Sequence, residues 1–281
     1  MKKRKLRIIF CIALIVLVDL GVIGLLLYEI LVQKKVEATS FARAGILLGA
    51  SVLSIVKLFQ RYEIRRSAKF YRETYTDLIG NAFWHDKKAE KEFCRALDAY
   101  NANNFHPALK RLEQLSKKVT TNDDRFAITV FTALCYDDMK AYPQAIHTYE
   151  DALRYRENST VFSNLGLCYQ RIGDYKSAIV AYVEAIRVDP KNDYAYVNAA
   201  QLMIRAERYE DALAYAEQAC AINQTLMSAH TVCAVCHAVL GNSEETEQAI
   251  RRSVRYGADR RRLEDAIRIH CPSYQSGGDK V

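Results

Sequence analysis

Two long apolar runs open the chain, and a repeating alternation of apolar and polar positions fills most of the rest. The first run, IIFCIALIVLVDLGVIGLLLYEILV, covers residues 8–32 with Asp19 its single charge before Glu29. That exceeds the roughly 20 residues that cross a bilayer. The second, FARAGILLGASVLSIVKLF, covers 41–59 and keeps Arg43 and Lys57 near its ends, where long basic side chains reach the interface. Together they predict a two-helix transmembrane hairpin with a loop at 33–40. A cleaved leader is the rival reading, but the apolar core is too long and no small-residue cleavage site follows it. From about residue 89 apolar positions recur at helical spacing, in paired amphipathic stretches. The chain reads as all-α.

Charge refines the placement. Residues 1–75 carry 14 Lys/Arg and 5 Asp/Glu, whereas the remainder carries 26 and 28. The basic excess flanks the apolar runs and argues against a nucleic-acid face. The tail at 1–7 and the basic juxtamembrane helix or spacer at 60–88 are both positive, which predicts cytoplasmic termini and a multi-pass plasma (inner) membrane protein with the lipid bilayer as a partner. Within the spans, Asp19 would lie at about the depth of Ser51 and Ser54, which can hydrogen-bond it. Gly45-x-x-x-Gly49 permits close helix packing, within the hairpin or in a homo-oligomer formed through the spans.

The later half repeats itself. In STVFSNLGLCYQRIGDYKSAIVAYVEAIRVDP the residues Leu165, Gly166, Tyr169, Gly173, Tyr175, Ala178, Tyr182, Ala185 and Pro190 stand at the spacings of a 34-residue unit. This stretch closely resembles the tetratricopeptide repeat (TPR) family, with Phe162 replacing the early tryptophan. Aligning the small residue that opens each second helix gives Ala108, Ala145, Ala178, Ala212 and Thr246. The register predicts an α-solenoid of about four to five helix pairs over 89–258, with repeats near 89–122, 126–158, 159–192, 193–226 and 227–258. A capping helix at 259–271 and a disordered tail at 272–281 follow.

The same register explains Cys233-x-x-Cys236-His237, which spells the attachment signature of a c-type haem. Cys236 takes the position held by Cys135, Cys168 and Leu202, and Cys233 that of Thr132, Leu165 and Ala199. These are inward-facing positions of the first helix, so core packing accounts for the motif. No ligand quartet, phosphate loop or nucleophile elbow is spelled out. No cofactor, metal or catalytic residue is therefore expected.

What the TPR resemblance implies is a groove lined by the first helix of each repeat. Its usual lining positions fall on Val130 and Leu134, then Asn164, Leu167 and Arg171, then Tyr194, Val197, Asn198, Gln201 and Arg205. Asn164 and Asn198 can hydrogen-bond a peptide backbone while Tyr194 and the aliphatics hold apolar side chains. The family's basic clamp for acidic chaperone termini is missing its cations around Asn164 and Asn198. The expectation is a membrane-tethered TPR scaffold or adaptor binding an unidentified protein or peptide. The alternative is an envelope assembly factor resembling those of cytochrome c maturation, with its repeats facing outward.

Overall fold

A computed structural model describes residues 68–274. Its contacts separate a first unit, Met1–Glu73, from a second, Thr74–Val281. Of the first unit only the helical residues 68–73 are described. The second holds a single helical turn, Thr76–Ile79, and then eleven helices among the described residues. These are α1 (Lys87–Asn101), α2 (Phe105–Ser116), α3 (Asn122–Asp138), α4 (Tyr142–Tyr155), α5 (Ser159–Arg171), α6 (Tyr175–Val188), α7 (Asp193–Arg205), α8 (Tyr209–Ile222), α9 (Met227–Val239), α10 (Ser243–Arg255) and α11 (Arg260–His270).

Local chemistry sets where each helix starts. Side chains of Asp86, Thr121, Asn158, Asp174, Asn192 and Asp259 each accept a backbone N–H of the first turn, satisfying donors the helix itself leaves open. Pro143 opens α4, where its missing N–H costs nothing. Within every pair the turn between helices passes through one left-handed residue: Asn103, Lys140, Gly173, Glu207 and Gly241. Each lies five positions before the small residue that marks its repeat, so backbone and side-chain periodicities coincide.

The apolar stripe of each helix is buried against its partner and the next pair. Alanines 108, 145, 178 and 212 are fully buried; their small size lets the helix axes approach closely. At Gly166 there is no room even for a methyl, since a Cβ there would meet Tyr182 Cε1 at 2.6 Å. In the preceding repeat Ala133 takes the same position and Tyr149 the place of Tyr182. The Tyr149 hydroxyl is buried without a hydrogen-bond partner, whereas Tyr182 donates to Gln170 Oε1 at 3.0 Å. At the far end α11 buries Leu263 and Ile267 in the apolar cluster that also contains Val232 and Val235 of α9.

The expected membrane hairpin is overturned. Among the described residues no helix is long and apolar enough to cross a membrane. The longest, α3, has 17 residues, below the roughly 20 required, and the described helices spend their apolar faces on one another. With this the multi-pass plasma-membrane placement, the lipid partner and the oligomer through spans lose their support, as does the outward-facing alternative that needs the same spans. The runs at 8–32 and 41–59, with Asp19, Gly45, Gly49, Ser51 and Ser54, lie outside the described residues. So does most of the tail expected to be disordered, 275–281.

Candidate functional site

The candidate residues occupy one face of successive first helices. Asn164, Leu167 and Arg171 follow one another at helical intervals on α5, as do Tyr194, Asn198, Gln201 and Arg205 on α7, which places each set on a single side. Arg171, Tyr194, Gln201 and Arg205 are exposed; Leu134, Asn164, Leu167 and Asn198 are half-buried. Val130 and Val197 are buried. Val197 belongs to the apolar cluster shared with Ala212 of α8 and Val232 of α9, so it fills a seam between repeats instead of meeting solvent.

Two arginines on this face are held in place. Arg171 Nη1 donates to the Tyr142 hydroxyl at 3.1 Å, its guanidinium 5.4 Å from that ring centre. One repeat on, Arg205 Nη1 donates to the Tyr175 hydroxyl at 3.2 Å with 5.5 Å to the ring. Each tyrosine opens the second helix of the preceding repeat, so the same cation–π pair recurs with the solenoid period. The hydroxyl contact keeps Arg171 charged even more firmly than usual. Beside it, burial pushes the Asp137 carboxyl upward, opposed by the Arg171 charge. A guanidinium offers five donors in a fixed fork, and the tyrosine engages one of them.

The corresponding face of α1 and α3 is covered by the chain itself. Tyr75 packs edge-on against Phe131 of α3, with centroids 5.1 Å apart, and its hydroxyl donates to Asn101 Oδ1 of α1 at 3.2 Å. Leu78, Ile79, Ala82 and Phe83 are buried. The Phe83 ring lies 4.5 Å from that of Phe93, and its N–H donates to Asp124 Oδ1 at 2.6 Å. Asp77 reaches the third repeat, where its Oδ2 accepts from Asn158 Nδ2 at 2.9 Å and from Thr160 Oγ1 at 2.8 Å. Its carbonyl accepts from Arg156 Nη2 at 2.7 Å. In the repeat register Phe93, Tyr100, Asn101, Phe131 and Thr160 fall at groove-lining positions. Sequence reasoning left residues 75–85 in a spacer because "TDLIGNAFW" is too short and too interrupted to show a period. Its signal is the apolar pairs Leu78-Ile79 and Ala82-Phe83 around Gly80, whose φ of +50° bends the segment.

The haem-like motif sits where the register puts it. Cys233 and Cys236 are buried on α9, and burial pushes the Cys236 thiol up to about 12. His237 is half-buried and faces the Asn242 amide at 3.3 Å. Among the described residues no three of His, Cys, Asp and Glu are grouped to hold a metal ion.

Comparison with known proteins supports the repeat reading. Residues 159–192 match the sequence model of the tetratricopeptide repeat family. A DnaJ homolog subfamily C member 7 homolog of Schizosaccharomyces pombe is 29% identical over 102 residues, covering 35% of this chain and 21% of that protein. The chain thus spans about a fifth to a quarter of the length of the curated relatives it matches. A tetratricopeptide repeat protein from Parabacteroides merdae superimposes with a TM-score of 0.57 at 17% identity, covering 65% of this chain and 73% of that one. YrrB, described as a TPR protein with an unusual peptide-binding site, gives a TM-score of 0.52 at 16% identity over 71% of this chain and 96% of its own. At such identities the structural matches speak for the fold.

Proposed function

We propose that this stack of tetratricopeptide repeats is a protein-binding scaffold whose partner lies as an extended segment along the open faces of α5 and α7. The observation that carries the reading is the internal segment. The first-helix faces of α1 and α3 already hold residues 75–83 through aromatic contacts and donors to a carboxylate. The segment stops at Thr160. Tyr194 occupies the equivalent position one repeat later and is 62% exposed. From there Asn164, Leu167, Asn198 and Gln201 offer amide groups and apolar surface to a second segment.

Charge narrows the partner. Arg171 and Arg205, each braced by a tyrosine, stand one repeat apart and suit carboxylates at a matching interval. The internal segment follows a similar logic, presenting Asp77 to Asn158 and Thr160. The peptide-binding site named for YrrB adds support by analogy of fold. The partner we favour is therefore an extended protein segment with acidic side chains.

Photocrosslinking tests this. A photoreactive side chain at Tyr194 should give a discrete adduct in cells, and one at the exposed Lys176 on α6 should not. The adduct should disappear in an Arg171→Glu, Arg205→Glu chain whose helical signal is unchanged. Equal adducts from both positions, or an adduct indifferent to the charge reversal, would sink the proposal.

A further inference from the structure

Where α8 meets α9, three reactive side chains converge. Cys220 Sγ lies 3.4 Å from His230 Nδ1 and 4.0 Å from Cys233 Sγ. His230 is buried, stacked on Tyr256 with ring centres 5.6 Å apart and planes 20° apart. Its Nε2 is 2.8 Å from the Gln224 carbonyl oxygen. A carbonyl only accepts, so the ring proton sits on Nε2 and the Nδ1 lone pair faces Cys220. Cys220 can then donate to His230 while Cys233 donates to Cys220. A nucleophile, a base and a group that orients the base stand in hydrogen-bond order.

The arrangement is local to this junction. The equivalent pairs at the two preceding junctions are Leu153 with Leu165 and Ile186 with Ala199, all apolar. Cys220 is half-buried and Cys233 buried, so Cys220 is the more accessible of the two. The surrounding charges agree. The Cys233 hydrogen bond and the nearby Arg252 draw the Cys220 thiol below its ordinary range, against burial and Glu217. Cys233 is pushed upward by Cys220 and by burial, and keeps its proton.

We propose that Cys220 and Cys233 form a hydroperoxide-reactive thiol pair that closes to a disulfide between the fourth and fifth repeats. Cys220 passes its proton to His230 Nδ1, and its sulfur attacks the terminal oxygen of the hydroperoxide. The S–O bond forms, the O–O bond breaks, and the departing oxygen leaves as alcohol or water with the proton from His230. Cys220 is now a sulfenic acid. The Cys233 sulfur attacks it, forming S–S and breaking S–O, and the released hydroxide takes the Cys233 proton as water. Two thiols have lost two electrons to one peroxide. Closure draws the sulfurs from 4.0 Å to the roughly 2.05 Å of a disulfide.

Cys271 is the internal control, half-buried like Cys220, with its sulfur 3.5 Å from the Ser273 hydroxyl. The full chain is treated with one equivalent of hydrogen peroxide, alkylated, and cleaved after its methionines, which leaves Cys220 on residues 204–227 and Cys233 on residues 228–281. The proposal requires the two fragments to stay joined through Cys220 and Cys233 while Cys271 is alkylated. In Cys233→Ser, Cys220 should be trapped by dimedone as sulfenic acid. In His230→Gln the oxidation should slow by roughly tenfold or more and its pH profile move upward. Oxidation of Cys271 as fast as Cys220, or a linkage that forms equally fast in urea, would overturn it. The wild-type comparison stands whether or not a variant folds.

Discussion

Gly166→Ala sets two effects against each other. In an exposed helix interior the change stabilises by about 1 kcal/mol through backbone entropy. Here the added methyl would stand 2.6, 2.8 and 3.0 Å from Cε1, Cδ1 and Cζ of Tyr182, a ring with no exposure. Overpacking a rigid core costs about 1–3 kcal/mol. The ring cannot yield without straining its hydroxyl contact to Gln170. The preceding repeat shows the alternative arrangement: Ala133 is accommodated there, and the Tyr149 hydroxyl has no partner. The net expectation is a loss of about 1–2 kcal/mol, read as a lower urea midpoint by circular dichroism. Combining it with Tyr182→Leu removes the obstruction, and in that background alanine should cost nothing or stabilise. The double-mutant cycle should therefore return a coupling of at least about 1 kcal/mol. Stabilisation by Gly166→Ala alone, or an equal cost in both backgrounds, would refute the packing argument.

Further outcomes follow from other positions. Lys140 holds φ at +62° and Gly173 at +83° in equivalent turns, so Lys140→Gly should gain up to about 1 kcal/mol and Gly173→Ala lose about as much. Nothing lies within 4 Å of a Cβ at Gly173, which makes that loss a backbone effect, measurable as a shift in melting temperature. Tyr149→Phe removes a buried hydroxyl without a partner and should be neutral or stabilise by about 1 kcal/mol; a clear loss in chemical denaturation would mean the hydroxyl is satisfied. Burial raises the Asp137 carboxyl in the folded chain above its unfolded value. The folded state then binds more protons, and stability falls as pH rises from the ordinary carboxylate range through the raised value. Asp137→Asn should flatten that slope and raise the melting temperature at neutral pH, with no change at strongly acid pH.

The solenoid was legible because its signals are local and repeated. One small residue per repeat, read at Ala108, Ala145, Ala178, Ala212 and Thr246, fixed the phase that the left-handed turn residues share. The same phase correctly assigned Cys233 and Cys236 to the interior. What escaped reading is contact between distant residues. Asp77 meets Thr160 across 83 positions, and nothing in either neighbourhood announces the other. Cys220 escaped for a related reason. The eye goes to Cys-x-x-Cys-His within one helix, while the geometry pairs Cys233 with a cysteine of the helix before it. The membrane expectation rested on apolar length and basic flanks in residues 1–75, and none of the described helices is long and apolar enough to carry it.

A stack of helical pairs is ordinarily a one-dimensional object, each unit supported only by its neighbours, so that it can melt from either end in steps. The segment at 75–85 breaks that rule over the first three repeats. By touching α1, α3 and the start of α5 together, it ties three units into one cooperative block with high contact order. The fourth and fifth repeats have no such tie and are held by neighbour contacts and α11. Unfolding should therefore proceed as one abrupt loss of the first three repeats and a graded loss of the last two. The α7 side of the open face would then be the side most free to adjust to what it binds, and the α5 side the firmer one.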